Sequence, residues 1–206
     1  GFTGTLHSDF YAVYWTVEGI THAVCWGHLC RPARQIVERE PESAEAVSFH
    51  DRLSGLYVRA VAAQQRPETT ARNARAIKGD LKALATDPTL AQNAGVAKLQ
   101  RRILRHLPEL VTFITNPALE GTNNRAEREF RPHAIGRHRS GGARSDDGAQ
   151  TYATNLSVVR TVQRLGGDFL DTFRQARIAF HEGGEFPKLF PSRAVTPAQA
   201  PTPSLS

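Results

Sequence analysis

Thr122-Asn123-Asn124-Arg125-Ala126-Glu127-Arg128-Glu129-Phe130-Arg131-Pro132 starts a helix, places an acid on it and surrounds that acid with arginines. Gly121-Thr122-Asn123 reads as a turn and cap, in which Thr122 or Asn123 accepts a hydrogen bond from the first free amides of the helix. Asn123, Glu127 and Arg131 are spaced by four and share a face, with Arg128 beside it. A carboxylate held among arginines suits metal-dependent chemistry on a phosphate backbone. An exposed helix with an ordinary Glu127–Arg131 pair, contributing about 0.2–0.5 kcal/mol, carries the same pattern. The stretch therefore takes its meaning from what surrounds it.

Upstream, Thr3 to His7 and Ile20 to Trp26 read as short strands, rich in β-branched and aromatic residues. They flank Phe10 to Val17, which has room for one or two helical turns. Asp9 falls just past the first strand, and open α/β sheets bind ligands at the carboxyl ends of their strands. From Leu29 to about Thr115 the chain reads as helix after helix. Leu53, Leu56, Tyr57 and Ala60 form one apolar stripe. Val96, Leu99, Ile103, Leu107, Leu110 and Ile114 form another, with a kink expected at Pro108. Gln64 to Arg75 and Thr86 to Gly95 are polar connections.

Downstream, Asn116-Pro117 breaks the helical pattern. Gly136 and Ser140-Gly141-Gly142 mark a loop. Two helices follow, separated by Gly166-Gly167. One turns Tyr152, Leu156, Val159 and Val162 inward, the other Phe169, Phe173, Ala176 and Phe180. From Gly183 the composition shifts to Gly, Pro, Ser, Thr and Ala, which predicts a disordered tail. The expected division is strands of a core at 1–28, a helical insertion at 29–115, C-terminal helices at 116–182 and the tail at 183–206.

Composition narrows the function classes. No apolar run is long enough to span a bilayer and no signal-peptide pattern is present. No membrane partner and a cytoplasmic location are therefore expected. Cys25 and Cys30 are the two cysteines, too few for a disulfide framework. Methionine is absent and the chain begins Gly-Phe-Thr-Gly, which suggests a piece of a longer protein. The formal charge is +6, from 22 Arg and 4 Lys against 20 acids. Residues 101 to 144 hold nine arginines against Glu109, Glu120, Glu127 and Glu129, a local +5. Such a concentration favours a polyanionic partner.

Phosphoryl transfer on DNA is commonly run by two divalent metals about 3.5–4 Å apart, held by carboxylates. Mg2+ prefers oxygen ligands and keeps some of its waters, so two or three acids suffice. Asp9 and Glu127 are candidates, although a lone strand-end aspartate is more often a turn residue. Cys25-Trp26-Gly27-His28 with Cys30 falls short of a zinc site, because no second ligand pair accompanies it. A packed Cys and Trp with a polar His is the better reading. Arg137, Arg139 and Arg144 surround Ser140-Gly141-Gly142, where small residues admit a phosphate that arginine clamps. No phosphate loop of the Walker type and no nucleophile elbow occur.

Together these pieces resemble transposases of the insertion sequence 66 (IS66) family. The similar stretches are Leu6-His7-Ser8-Asp9-Phe10-Tyr11, then His22-Ala23-Val24-Cys25-Trp26-Gly27-His28 with Arg31, then Asn123-Asn124-Arg125-Ala126-Glu127-Arg128 with Arg131-Pro132. Ser140-Gly141, Arg144-Ser145, Gly148-Ala149 and a helix from Thr161 to Gly166 follow in the family's order. The similarity covers roughly residues 1 to 180. It implies an α/β fold: a partial ribonuclease-H-like core of the retroviral-integrase type with a large all-helical insertion. It also implies Asp-Asp-Glu chemistry, with Asp9 as the second catalytic aspartate, Glu127 as the catalytic glutamate and His28 as a support residue. Asp9 and Glu127 would hold Mg2+ or Mn2+. Asn124, Arg128, Arg131, Arg137, Arg139 and Arg144 would contact DNA. Partners implied are transposon ends, target DNA and further copies of the protein, with nucleoid association when bound to DNA.

Position 10 is Phe where the family commonly has Gly, Cys30 sits where a basic residue is usual, and Ala143 replaces a common aromatic. The family's first aspartate lies on an earlier strand, and only eight residues precede Asp9. The expectation is an N-terminally truncated transposase piece, lacking three strands and one metal ligand, inactive alone and with an unpaired sheet edge. The alternatives are a non-catalytic DNA-binding or assembly remnant, or an unrelated helical interaction protein.

Overall fold

A computed structural model describes residues 3–187. The architecture is mostly helical (71%) with a small two-stranded parallel sheet. Strand β1 (Thr5–Ser8) pairs with β2 (Thr21–Val24) in the register Thr5↔Thr21 to Ser8↔Val24. A 3₁₀ turn at Ala12–Thr16 lies between them, within the segment expected to hold helical turns. The strands end at Ser8 and Val24, so Asp9 does fall just beyond the first.

Five helices follow: α1 (Gly27–Arg39), α2 (Ala44–Gln64), α3 (Thr70–Ala85), α4 (Ala94–Arg105) and α5 (Leu107–Thr115). Two of these starts, those of α2 and α4, follow cap chemistry. Ser43 Oγ accepts from the Ala46 amide at 3.3 Å, and Asn93 Oδ1 accepts from the Val96 amide at 3.1 Å. The two apolar stripes form one core. Leu53, Leu56 and Ala60 of α2, and Val96, Leu99 and Ile103 of α4, are buried with Leu110 and Ile114 of α5. The second stripe is two helices rather than one kinked helix. Pro108 has no amide to donate to a preceding turn, so α4 ends at Arg105 and α5 restarts with Pro108 in its first turn. Much of the polar stretch from Gln64 to Arg75 is the first turns of α3, whose buried side is Ala74, Ile77 and Leu81.

Two amide side chains, half-buried Gln64 and buried Gln100, close the connections. Gln64 Nε2 donates to the carbonyls of Phe113 (2.8 Å), Asn116 (3.1 Å) and Leu119 (2.6 Å). Gln100 Nε2 donates to Leu84 O at 3.0 Å and Asp87 O at 2.9 Å. Phe113 O and Asn116 O also accept from the Asn116 and Leu119 amides, whereas these side chains are the donors to Leu119 O, Leu84 O and Asp87 O beyond the helix ends.

The chain divides into two compact units, Gly1–Arg128 and Glu129–Ser206. Helix α6 (Asn124–Ser140) crosses that division, and α7 (Asp146–Arg164) and α8 (Phe169–Glu182) follow. Two expectations fail here. Gly136 is not in a loop but inside α6, where a Cβ would collide with the Tyr152 hydroxyl group; glycine lets that ring approach. Phe173 and Phe180 do not face inward either: they are 59% and 73% exposed, and the buried residue of α8 is Ala179. Gly166-Gly167 does separate α7 from α8, with Gly166 at φ +74°. Most of the tail expected to be disordered, residues 188–206, lies outside the described residues.

Candidate catalytic site

The parallel pairing fixes what stands at the carboxyl end of the strands. The Cys25 amide donates to Ser8 O at 2.9 Å, extending the ladder, so Asp9 and Cys25 leave the sheet side by side. Asp9 Oδ1 accepts from the Tyr11 amide at 2.9 Å, which is turn work, and leaves its other carboxylate oxygen without a partner among the described residues. Beyond Cys25 the chain enters α1 at once, and His28 sits on its first turn.

Glu127 reaches the same place from far along the sequence. The Trp26 amide donates to Gly121 O at 3.0 Å, and the Asn123 amide donates to Cys25 Sγ at 3.3 Å. These two bonds hold the start of α6 against the exit of β2. At Gly27 a Cβ would meet Cys25 Sγ tightly, at 3.3 Å, and Thr122 Cγ2 at an ordinary 3.7 Å. As a result Glu127 Oε1 lies 3.6 Å from His28 Nε2, with both side chains partly exposed. Two of the expected site residues, His28 and Glu127, thus meet, whereas no hydrogen bond or ion pair joins Asp9 to either among the described residues, and the expected side-chain cap at Asn123 does not form. Asn123 Oδ1 and His28 Nδ1 are both buried without a hydrogen-bond partner.

The surrounding groups are held neutral by burial. Desolvation raises the Cys25 thiol, against the opposing pull of the Asn123, His28 and Gly27 amides. Cys30 is pushed up to about 12, mainly by burial. Both are free thiols. Burial likewise pushes His7, on β1, below its ordinary value, opposed by a hydrogen bond involving Val24.

A contact that sequence reasoning missed braces the site. Arg102 of α4 stacks over the Phe10 ring at 5.0 Å and donates from Nη1 to His28 O at 3.4 Å. The sequence signal was only that Arg102 lies off the apolar stripe. The proposed DNA contacts Asn124, Arg128, Arg131, Arg137, Arg139 and Arg144 are all exposed, and α6 has no buried residue. Among the described residues no group of three or more His, Cys, Asp or Glu side chains is arranged to hold a metal ion.

The family model "Transposase IS66 family" matches residues 1–151. This chain belongs to the IS66 transposase family. The matched region takes in β1, β2, the helices α1 to α6 and the start of α7, and so contains Asp9, His28 and Glu127. Uncharacterized protein y4qI of Sinorhizobium fredii (strain NBRC 101917 / NGR234) is 29% identical over 201 residues, covering 89% of this chain. The chain spans 37% of that relative's length. No solved structure matches. Among the described residues no helix is long and apolar enough to cross a membrane.

Proposed function

We propose that this chain carries part of the catalytic centre of a DNA transposase, which cleaves phosphodiesters and joins DNA strands with Mg2+ or Mn2+. One observation carries the reading. Glu127, at the start of α6, stands 3.6 Å from His28, on the first turn of α1 after the strand that pairs with the one preceding Asp9. That sets an acid against a histidine near the carboxyl end of the sheet, the place where α/β sheets bind ligands. The sheet is, on this reading, a portion of a ribonuclease-H-like core and α1 to α5 are its insertion.

The donor types fit a hard divalent cation, since Asp9 and Glu127 each offer carboxylate oxygen. Two acids are one fewer than the Asp-Asp-Glu set that the family resemblance implies. Bound metals would supply the Lewis acidity that clamps attacking and leaving oxygens. Asp9, set by its turn bond to Tyr11, and Glu127, set by α6, are the ligands. His28 orients Glu127 through Nε2. The exposed Asn124, Arg128, Arg131, Arg137, Arg139 and Arg144 bind phosphates of transposon ends and target, and the active assembly contains several copies of the protein.

The test is Glu127→Gln in a protein of the relative's full length. Strand cleavage and transfer should vanish while DNA binding persists. Transposition at the parental rate would remove Glu127 from the chemistry. That no three-ligand group occurs among the described residues favours a second reading, a DNA-binding or assembly module without catalysis. Cleavage by the full-length protein that depends on both Asp9 and Glu127 would exclude it.

A further inference from the structure

Helix α4 buries Val96, Leu99, Gln100 and Ile103 on one side. At 3.6 residues per turn, Lys98, Arg101 and Arg105 fall on the opposite side, and all three are exposed. The helix holds no acid. Helix α1 lies antiparallel beside it. Ile36 Cδ1 stands 2.9 Å from where a Cβ on Gly95 would be, and Arg102 at the other end of α4 donates to His28 O. Arg31, three residues after His28, is exposed on α1. Arg34 is paired with Glu38 at 3.2 Å, but no carboxylate pairs with Arg31, Lys98, Arg101 or Arg105 among the described residues.

We propose that this face of α1 and α4 is a second track for the phosphate backbone of duplex DNA, separate from the arginines of α6. The inference rests on the reading of the protein as DNA-acting and adds where a strand runs. Four like charges without partners repel one another, and a polyanion offsets that cost while releasing its counterions. Lys98 to Arg105 covers about 10 Å of helix axis, the length of about three phosphates along one strand. Arg102, between Arg101 and Arg105 on the same helix, donates to His28 O, so a backbone bound along the track passes beside the helix that carries His28.

The 206-residue chain is titrated with labelled duplexes of unrelated sequence over a range of salt, alongside Lys98→Gln/Arg101→Gln/Arg105→Gln. The slope of log K against log salt should become shallower by about 0.9 per cation removed, about 2.7 in all, equally for each sequence. Arg31→Gln alone should remove about 0.9, which keeps the test valid if the triple variant is unstable. An unchanged slope in both variants overturns the track. If Arg128→Gln/Arg131→Gln/Arg137→Gln still loses slope in that case, DNA recognition stands and only the track fails. A parental chain that binds anionic vesicles of phosphatidylserine but not duplex overturns both.

Discussion

The indole Nε1 of Trp26 donates to the backbone carbonyl of Leu110 at 2.7 Å, joining positions 84 residues apart. Trp26 is fully buried, with its ring 5.5 Å from that of Tyr57 and edge-on to Phe113 at 6.3 Å. The bond therefore links the end of the sheet to the last helix before Gly121. Trp26→Phe keeps an aromatic ring and removes the indole's hydrogen bond to Leu110 O, at a cost of about 0.5–1.5 kcal/mol. Trp26→Ala adds a cavity and costs about 3–5 kcal/mol. Urea unfolding of the purified chain measures both, and a Trp26→Phe midpoint equal to the parent's would show that the bond contributes nothing net.

Gly121 is sterically required. A Cβ there would stand 2.8 Å from Tyr57 Cε2 and 3.2 Å from Phe113 Cε2, in a packed interior. Gly121→Ala should destabilise by about 1–3 kcal/mol through overpacking. Because Gly121 O receives the Trp26 amide, the same change should perturb His28 and Glu127 resonances in NMR spectra. Confinement of the shifts to Tyr57 and Phe113 would argue against that coupling.

The two thiols should be inert in the native state. Burial raises Cys25, and holds Cys30 at about 12. At pH 8 the thiolate fraction of Cys30 is on the order of 10⁻⁴, and the thiolate is the reactive form. Iodoacetamide should modify neither residue before unfolding and both after it, as read by mass spectrometry. Rapid native labelling of Cys30 would contradict its burial.

Mild acid should weaken the fold. His7 and His106 are both held below their ordinary value, chiefly by burial. For His106, Glu109 opposes the shift while Arg105 and Arg102 add to it. A lowered native value means that the fold favours the neutral ring. The stability gained is complete above about pH 6.5, the unfolded value, and is lost as pH falls through the lowered values. His106 stacks on Trp15 at 4.7 Å, so His106→Phe keeps an aromatic ring in place and removes one titrating group. Melting temperatures between about pH 7.5 and pH 5 should decline less for the variant than for the parent.

Local signals were legible where one kind of force dominates. The β-branched runs located both strands, and the spacing of Val96, Leu99 and Ile103 located the buried side of α4. Gly136 misled because glycine marks either a turn or a close approach, and only the ring of Tyr152 decides between them. Phe173 and Phe180 misled because periodicity says which side of a helix is apolar and not whether anything covers it. The meeting of His28 with Glu127 depended on family resemblance. No spacing rule connects residues whose approach is set by Trp26–Gly121 and Cys25–Asn123 bonds. Arg102 was unreadable for the same reason, since both of its partners are distant in sequence.

The Trp26–Gly121 hydrogen bond has an evolutionary corollary. It ties the point where the chain departs from the sheet to the point where it returns, as a drawstring closes the neck of a bag. The five helices in between hang from a closed neck. The parts of those helices that touch neither the neck nor His28, unlike Tyr57, Arg102, Leu110 and Phe113, can change without moving His28 against Glu127, provided that the drawstring residues still meet.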